Sequence, residues 1–194
     1  MNVGIYIYND AEVLDFSGPF EVFSTASRVS GEENLFNVFL VSESKETVIA
    51  RAGYSVNPSY SIDDHPKIDV LVVAGGVHTA ELKKPGVIHW IASTAKTAGL
   101  VASVCTGAFL LAEAGLLDSL RVTTHWDDIP GLRKDYPALT VMESVRWVDE
   151  GAIVTSGGIS AGIDMSLHLV SRLHSLDLAE KTARQMEFNW TQNA

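Results

Sequence analysis

One cysteine is present in the chain, and its neighbours on either side set out a strand, a single turn residue and a helix. Leu100 to Val104 is short, apolar and rich in β-branched residues, and Gly107 to Ala114 carries a helical pattern closed by Gly115. Cys105 therefore occupies the position of a nucleophile elbow, with Gly107 letting helix and strand approach closely. A sulfur held there faces the positive end of the helix dipole and free backbone N–H groups, both of which favour thiolate over thiol. The alternative is a buried cysteine acting as a small hydrophobe, and position by itself does not separate the two.

Four other places carry residue types suited to work beside a thiolate. Asp15, in Leu14-Asp15-Phe16-Ser17-Gly18-Pro19, is a cap or turn residue on one reading. On the other it faces Cys105, and because two anions in contact raise each other's pKa, a neutral Asp15 donating to the thiolate is the favoured pair. Such an acid can deliver a proton to an intermediate. Gly75-Gly76 reads either as a tight turn or as open amides that converge with the Thr106 N–H into an oxyanion hole. His125, in Thr123-Thr124-His125-Trp126, is a base or orienter, or else a structural histidine beside Trp126. Gly158, after Ser156-Gly157, joins Gly75, Gly76 and His125 as a substrate-side position. The remaining histidines, His65, His78, His89, His168 and His174, form neither an i, i+4 pair nor a Cys/His cluster, so no metal is expected. No P-loop or G-x-G-x-x-G occurs, and no cofactor is expected.

These residues need elements that bring them together. Val3 to Tyr8, Phe36 to Val41, Val70 to Val73 and Leu100 to Val104 read as buried parallel strands. Phe20 to Ser27 after a first-turn Pro19, Gly86 to Thr97 and Gly107 to Ala114 read as helices between them. That alternation predicts an α/β fold with a mostly parallel sheet and helices on both faces. Val48 to Val56, centred on Ala52-Gly53, and Leu139 to Val148 before Glu150-Gly151 read as small hairpins at the sheet edges. Ala161 to His174 and Leu178 to Asn189 read as closing helices. Ligands of such sheets bind outside the carboxyl ends of the strands, where Asp15, Gly75-Gly76, Cys105, His125 and Gly158 fall in loops that share one crevice.

Composition removes several function classes. A length of 194 residues predicts one domain, residues 1–194, and 46% hydrophobic with 20% charged residues is the composition of a packed domain. Lys plus Arg is 14 against 24 Asp plus Glu, a net charge of −10 that repels phosphate backbones, so no nucleic-acid partner is expected. Thr97 to Ala112, the longest uncharged run, is interrupted by Gly, Ser and Thr and is too short to span a membrane. The absence of a basic residue before Arg28 and of any second cysteine points to a reducing cytoplasm.

Taken together, the segments Leu14 to Pro19, Ala74-Gly75-Gly76, Ser103 to Gly107, Ala112 to Leu117, Thr123 to Trp126 and Gly157 to Asp164 resemble the ThiJ/PfpI superfamily, of the class I glutamine amidotransferase-like type, over nearly the whole chain. Within it they are most similar to isocyanide hydratases and to the N-terminal domains of AraC-type regulators. The resemblance implies a flavodoxin-like three-layer sandwich and a homodimer acting on a small-molecule substrate. It also implies Cys105 as nucleophile, Asp15 as its acid and Thr106 beside them, with isocyanide hydration as the activity. A non-catalytic sensor and a glyoxalase-like or oxidative-stress protein are the alternatives. Two departures matter: Thr106 stands where the protease-like branch has histidine, which argues against a peptidase, and the chain ends at Ala194 without the regulators' helix-turn-helix. The apolar stretch Leu14 to Phe23 is either a dimer interface or part of the core.

Overall fold

The computed structural model describes residues 1–192. Its first half contains β1 (Asn2–Tyr6), α1 (Val13–Ser30), β2 (Asn37–Ser42), β3 (Val48–Ile49), β4 (Ser55–Val56), β5 (Tyr60–Ser61), β6 (Val70–Val73) and α2 (Pro85–Ala95). There follow β7 (Leu100–Val104), α3 (Gly107–Glu113), β8 (Arg121–Val122), α4 (Ile129–Asp135), β9 (Thr140–Val141), β10 (Trp147–Asp149), β11 (Ile153–Ser156), α5 (Ala161–Leu173) and α6 (Leu176–Gln185). The main sheet runs β10-β11-β7-β6-β1-β2-β5, and every neighbouring pair in it is parallel except β10 with β11.

Successive side chains on a strand point to opposite faces, so a sheet covered on both sides needs near-continuous apolar strands. Val70-Leu71-Val72-Val73 shows why. Val70 and Val72 pack with Phe16, Phe23, Met165, Leu169 and Leu178 of α1, α5 and α6, whereas Leu71 and Val73 pack with Ile91, Leu110, Leu111 and Leu132 of α2, α3 and α4. Each fully buried side chain of this size stabilises the fold by about 1.5–3 kcal/mol. The result is the flavodoxin-like α/β sandwich that the sequence pattern and the family resemblance led us to expect.

Several elements depart from expectation for physical reasons. Helix α1 begins at Val13, so Asp15 lies in its first turn rather than in a loop, and Pro19 lies inside the helix. Pro19 removes the N–H that would bond the Asp15 carbonyl, a loss offset by the burial of Phe16, Pro19, Val22, Phe23 and Ala26. That burial also decides the apolar stretch. Phe16, Val22 and Phe23 belong to the core, with Leu14 and Phe20 half-buried against it, so no exposed apolar patch remains there to mark an interface. Val48 to Val56 is a hairpin, but β3 and β4 form a separate two-stranded sheet instead of extending the main one. Leu139 to Val148 is not a hairpin: β9 pairs in parallel with β8, and β10 turns through Glu150-Gly151 to pair with β11. The turn signal at Gly151, whose φ is 85°, was legible; its partner strand lay after it instead of before it.

Gly107 marks the tightest approach between layers. A Cβ built there lies 2.2 Å from the Val73 carbonyl oxygen, a main-chain atom that cannot rotate away. Gly107→Ala is therefore expected to destabilise the fold by about 1–3 kcal/mol or to displace α3, read as a lower urea midpoint than wild type.

Candidate active site

Cys105 connects β7 to α3 with φ of 56°, a left-handed conformation that costs an L-residue roughly 1–2 kcal/mol. The surroundings over-determine it. Its N–H is shared by the Ser156 and Gly157 carbonyls at 3.2 Å each, and its carbonyl accepts from Thr124 Oγ1 at 2.8 Å. The end of β11 and the segment after β8 thus clamp the turn, and the sulfur, in a residue only 7% exposed, faces the crevice at the strand ends.

Asp15 is fully buried. Its Oδ2 accepts from the Gly75 amide at 3.2 Å and its Oδ1 from the Ile159 amide at 3.0 Å. Gly75 stands between acid and thiol: a Cβ there lies 2.7 Å from Asp15 Oδ2 and 2.7 Å from Cys105 Cβ, so no larger residue fits. Burial raises Asp15 from the usual carboxylate range to about 7, against the lowering effect of the Ile159 amide and the Cys105 thiol. Burial, and after it the Asp15 charge, push the Cys105 thiol up, while the Thr106 N–H pulls it down. Burial thus moves Asp15 toward the neutral form, but the expected pair, a neutral Asp15 donating to a ready thiolate, is not the one these shifts favour: desolvation of Cys105 outweighs the Thr106 amide and keeps the proton on the sulfur.

The two glycine amides also differ from expectation. Gly75 N–H is committed to Asp15, and Gly76 N–H donates to Thr106 Oγ1 at 2.9 Å, while that hydroxyl donates back to the Gly76 carbonyl at 2.9 Å. They hold the acid and Thr106 in place and do not point into open space as an oxyanion hole. Gly158 is closer to the chemistry. A Cβ on it lies 2.4 Å from His125 Cδ2 and 3.2 Å from Cys105 Sγ, so the missing side chain is what lets the imidazole and the sulfur share one wall.

His125 Nδ1 lies 3.3 Å from Asp128 Oδ2 and accepts from the Asp127 amide at 3.4 Å, so the imidazole caps the turn Trp126–Asp128. Its ring tilts against Trp126 at 5.6 Å, so the local, structural expectation describes its contacts, while its place in the cleft wall leaves the expected role as base or orienter without a partner to act on among the described residues. Cys105, Thr106, Gly76 and His125 border a cleft of about 430 Å³ with Glu12, Arg51, His78, Asp128 and Ile159. His78 stacks on Phe109 at 4.3 Å and is held below the usual histidine range by burial. Sequence reasoning missed Ile159 and Thr124. Ile159 acts through its amide, which no side-chain chemistry signals, and Thr124 looks like any strand-end threonine. Among the described residues no group of three or more His, Cys, Asp or Glu could hold a metal ion, and no helix is long and apolar enough to cross a membrane.

Residues 1–172 match the DJ-1/PfpI family model. The chain belongs to the DJ-1/PfpI family. It is 33% identical over 192 residues to the isonitrile hydratase of Pseudomonas putida, covering 97% of this chain and 78% of that protein. It is 31% identical over 173 residues to the HTH-type transcriptional regulator CdhR of Pseudomonas aeruginosa, covering 89% of this chain but 51% of the regulator. Among solved structures, a ThiJ/PfpI family protein from Pseudomonas syringae superimposes with a TM-score of 0.86 at 25% identity, covering 98% of this chain and 76% of that one. Drosophila melanogaster DJ-1beta superimposes with a TM-score of 0.83 at 19% identity, covering 97% and 98%, a likeness of fold. The DJ-1/PfpI family thus includes an enzyme and regulators alike, on a scaffold that places a cysteine and a buried acid together here.

The Asp15 shift has a consequence for stability. The native carboxyl keeps a proton that the unfolded chain, with an ordinary pKa of 3.8, has released. Folding therefore loses stability as pH rises from about 4 to about 7, by a few kcal/mol in all. Measured as the difference in unfolding free energy between wild type and Asp15→Asn across that range, the wild type should decline relative to the variant.

Proposed function

We propose that this chain is a cysteine-dependent isonitrile hydratase, adding water to R–N≡C to give the N-substituted formamide R–NH–CHO. The observation that carries the reading is the left-handed Cys105 set against a fully buried Asp15 whose two oxygens are each bound by a main-chain amide. The 33% identity to an isonitrile hydratase supports it. The pair first loses a proton from Asp15, and in the reactive form that carboxylate has taken up the thiol proton, leaving thiolate at Cys105 and a protonated Asp15. The sulfur attacks the terminal isocyanide carbon, and Asp15 gives its proton to that carbon, forming the thioimidate R–N=CH–S–Cys105. Water then adds to the carbon, its proton passing by way of Asp15 to the nitrogen. Collapse of the adduct returns the hydroxyl proton to Asp15 and expels the Cys105 thiolate with the formamide, so every atom balances.

A second reading is supported by the similarity to CdhR along 89% of this chain: a small-molecule-binding domain without turnover. Product formation separates the two. Purified protein given simple alkyl or aryl isocyanides should form formamide, followed by NMR, with Cys105→Ala at background and Asp15→Asn lowered roughly 10²–10⁴-fold in kcat. Wild type indistinguishable from Cys105→Ala sinks the enzyme reading. Because the pair sheds its first proton near the Asp15 value of about 7, kcat/KM should rise with pH through that value and then level off. We further take residues 1–194 as one domain that works in the cytoplasm as a homodimer. Light scattering at micromolar concentration should give about twice the 21.0 kDa chain mass, and a mass that stays at one chain on concentrating refutes the dimer.

A further inference from the structure

Two tyrosines at the end of β1 share one face of the sheet, because Tyr6 and Tyr8 are two residues apart, and their ring centroids lie 6.0 Å from each other. Tyr6 is satisfied: its hydroxyl donates to Glu81, whose second oxygen meets Lys84 Nζ at 3.0 Å. Tyr8 is not. It is 3% exposed, and its hydroxyl completes no hydrogen bond among the described residues. A buried hydroxyl left this way costs about 1–3 kcal/mol, and native proteins almost always give such a group a protein or water partner.

Two partners are at hand. On one side lies Thr106 Oγ1, with Asp15 and Cys105 near enough that charge on either acts on the phenol. On the other lies a polar cavity of about 80 Å³ bordered by Tyr8, Asn9, Ser42, Glu43, Glu81 and Lys84. That space holds water comfortably and offers enough donors and acceptors to order it.

We propose that Tyr8 is a positioning residue of the Cys105 site, its hydroxyl donating to Thr106 Oγ1 and accepting from water held in the Glu81–Lys84 cavity. Thr106 is then fixed from two sides, by Gly76 and by Tyr8, and with it the Thr106 N–H that bonds the sulfur. Burial and the Asp15 charge push the phenol well up, so Tyr8 remains a donor throughout the working range. The positive end of its O–H dipole faces a pair that must carry one negative charge, which favours the reactive form. The inference rests on Cys105 being the reactive group, as in the proposed function, and is independent of which substrate it attacks.

The other titratable groups facing this region are Asp15 and Glu12 at the start of α1, Tyr6 on β1, Glu43 after β2, Glu81 and Lys84 after β6, Asp128 from the turn before α4, and His125 across Gly158. All of them stay in place in Tyr8→Phe. The test is the rate of Cys105 alkylation by iodoacetamide across a pH series, for wild type and Tyr8→Phe. The midpoint of the rise should move upward by roughly half a pH unit or more, and an unchanged midpoint in the folded variant overturns the proposal. A high-resolution crystal structure of wild type is the second measurement, valid even if Tyr8→Phe does not fold. Water within hydrogen-bond distance of Tyr8 Oη, with that oxygen also within reach of Thr106 Oγ1, is expected, and a dry cavity or an oxygen turned away from Thr106 refutes it. Alkylation needs no isocyanide, so failure of isocyanide turnover strikes the hydratase reading and leaves this one standing.

Discussion

Asp15 and Cys105 lie against one another where water does not screen them, so at most one of the two can carry a negative charge near neutral pH. Much of the molecule serves that constraint. The two amides on Asp15 come from Gly75 after β6 and Ile159 before α5, segments that meet only because β6, β7 and β11 are adjacent in the sheet. Without those amides the carboxyl would be costlier still to ionise. Without the burial it would be an ordinary surface acid, fully ionised at neutral pH and with no proton to give. The observed balance, an acid raised to about 7, is the range in which a carboxyl can both donate and recover a proton.

Such a site weakens the fold that holds it. A left-handed cysteine and a buried ionisable carboxyl each oppose folding, and the hydrogen bonds that hold them fix their geometry without removing that cost. The offset comes from the two apolar layers, where Ile5, Phe23, Leu71, Ile91, Leu110 and Met165 are all fully buried. The glycines at the strand ends then set the precision. Gly107 lets α3 start within contact of the Val73 carbonyl, and Gly75 puts no side chain between acid and thiol. A scaffold with a less continuous core would tolerate this arrangement poorly.

Much of this was legible in the sequence, and what was not has identifiable causes. Val70 to Val73 and Leu100 to Val104 read correctly because a doubly covered strand has no polar face to blur its pattern. Cys105 and Gly107 read correctly because strand-to-helix elbows constrain side-chain size. Pro19 misled, since an interior proline is paid for by tertiary packing that local rules do not see. Leu139 to Val148 misled because strand pairing is a long-range choice, and β9 found β8 instead of its sequence neighbour. Gly75 and Gly76 were placed in the site but given the wrong task. A glycine pair announces open amides, and only coordinates show that Asp15 and Thr106 have already claimed them.

The residue after the cysteine bears on which chemistry the site favours. Peptide hydrolysis through a thiolate needs a base beside the sulfur that can later protonate an amine leaving group, the role histidine fills in cysteine peptidases. Here that place belongs to Thr106, whose hydroxyl is tied in both directions to Gly76. The two imidazoles that border the cleft are engaged elsewhere, His125 with Asp127 and Asp128 and His78 stacked on Phe109 and held low by burial. Among the described residues, Asp15 is the acid that hydrogen-bonds the sulfur. A single carboxyl can return to a substrate the proton it has just received, which is all that addition of water across a carbon–nitrogen multiple bond demands. An amide, whose leaving amine must be protonated while a separate base activates the water, asks for a second proton-transfer group beside the sulfur, at the place where Thr106 stands.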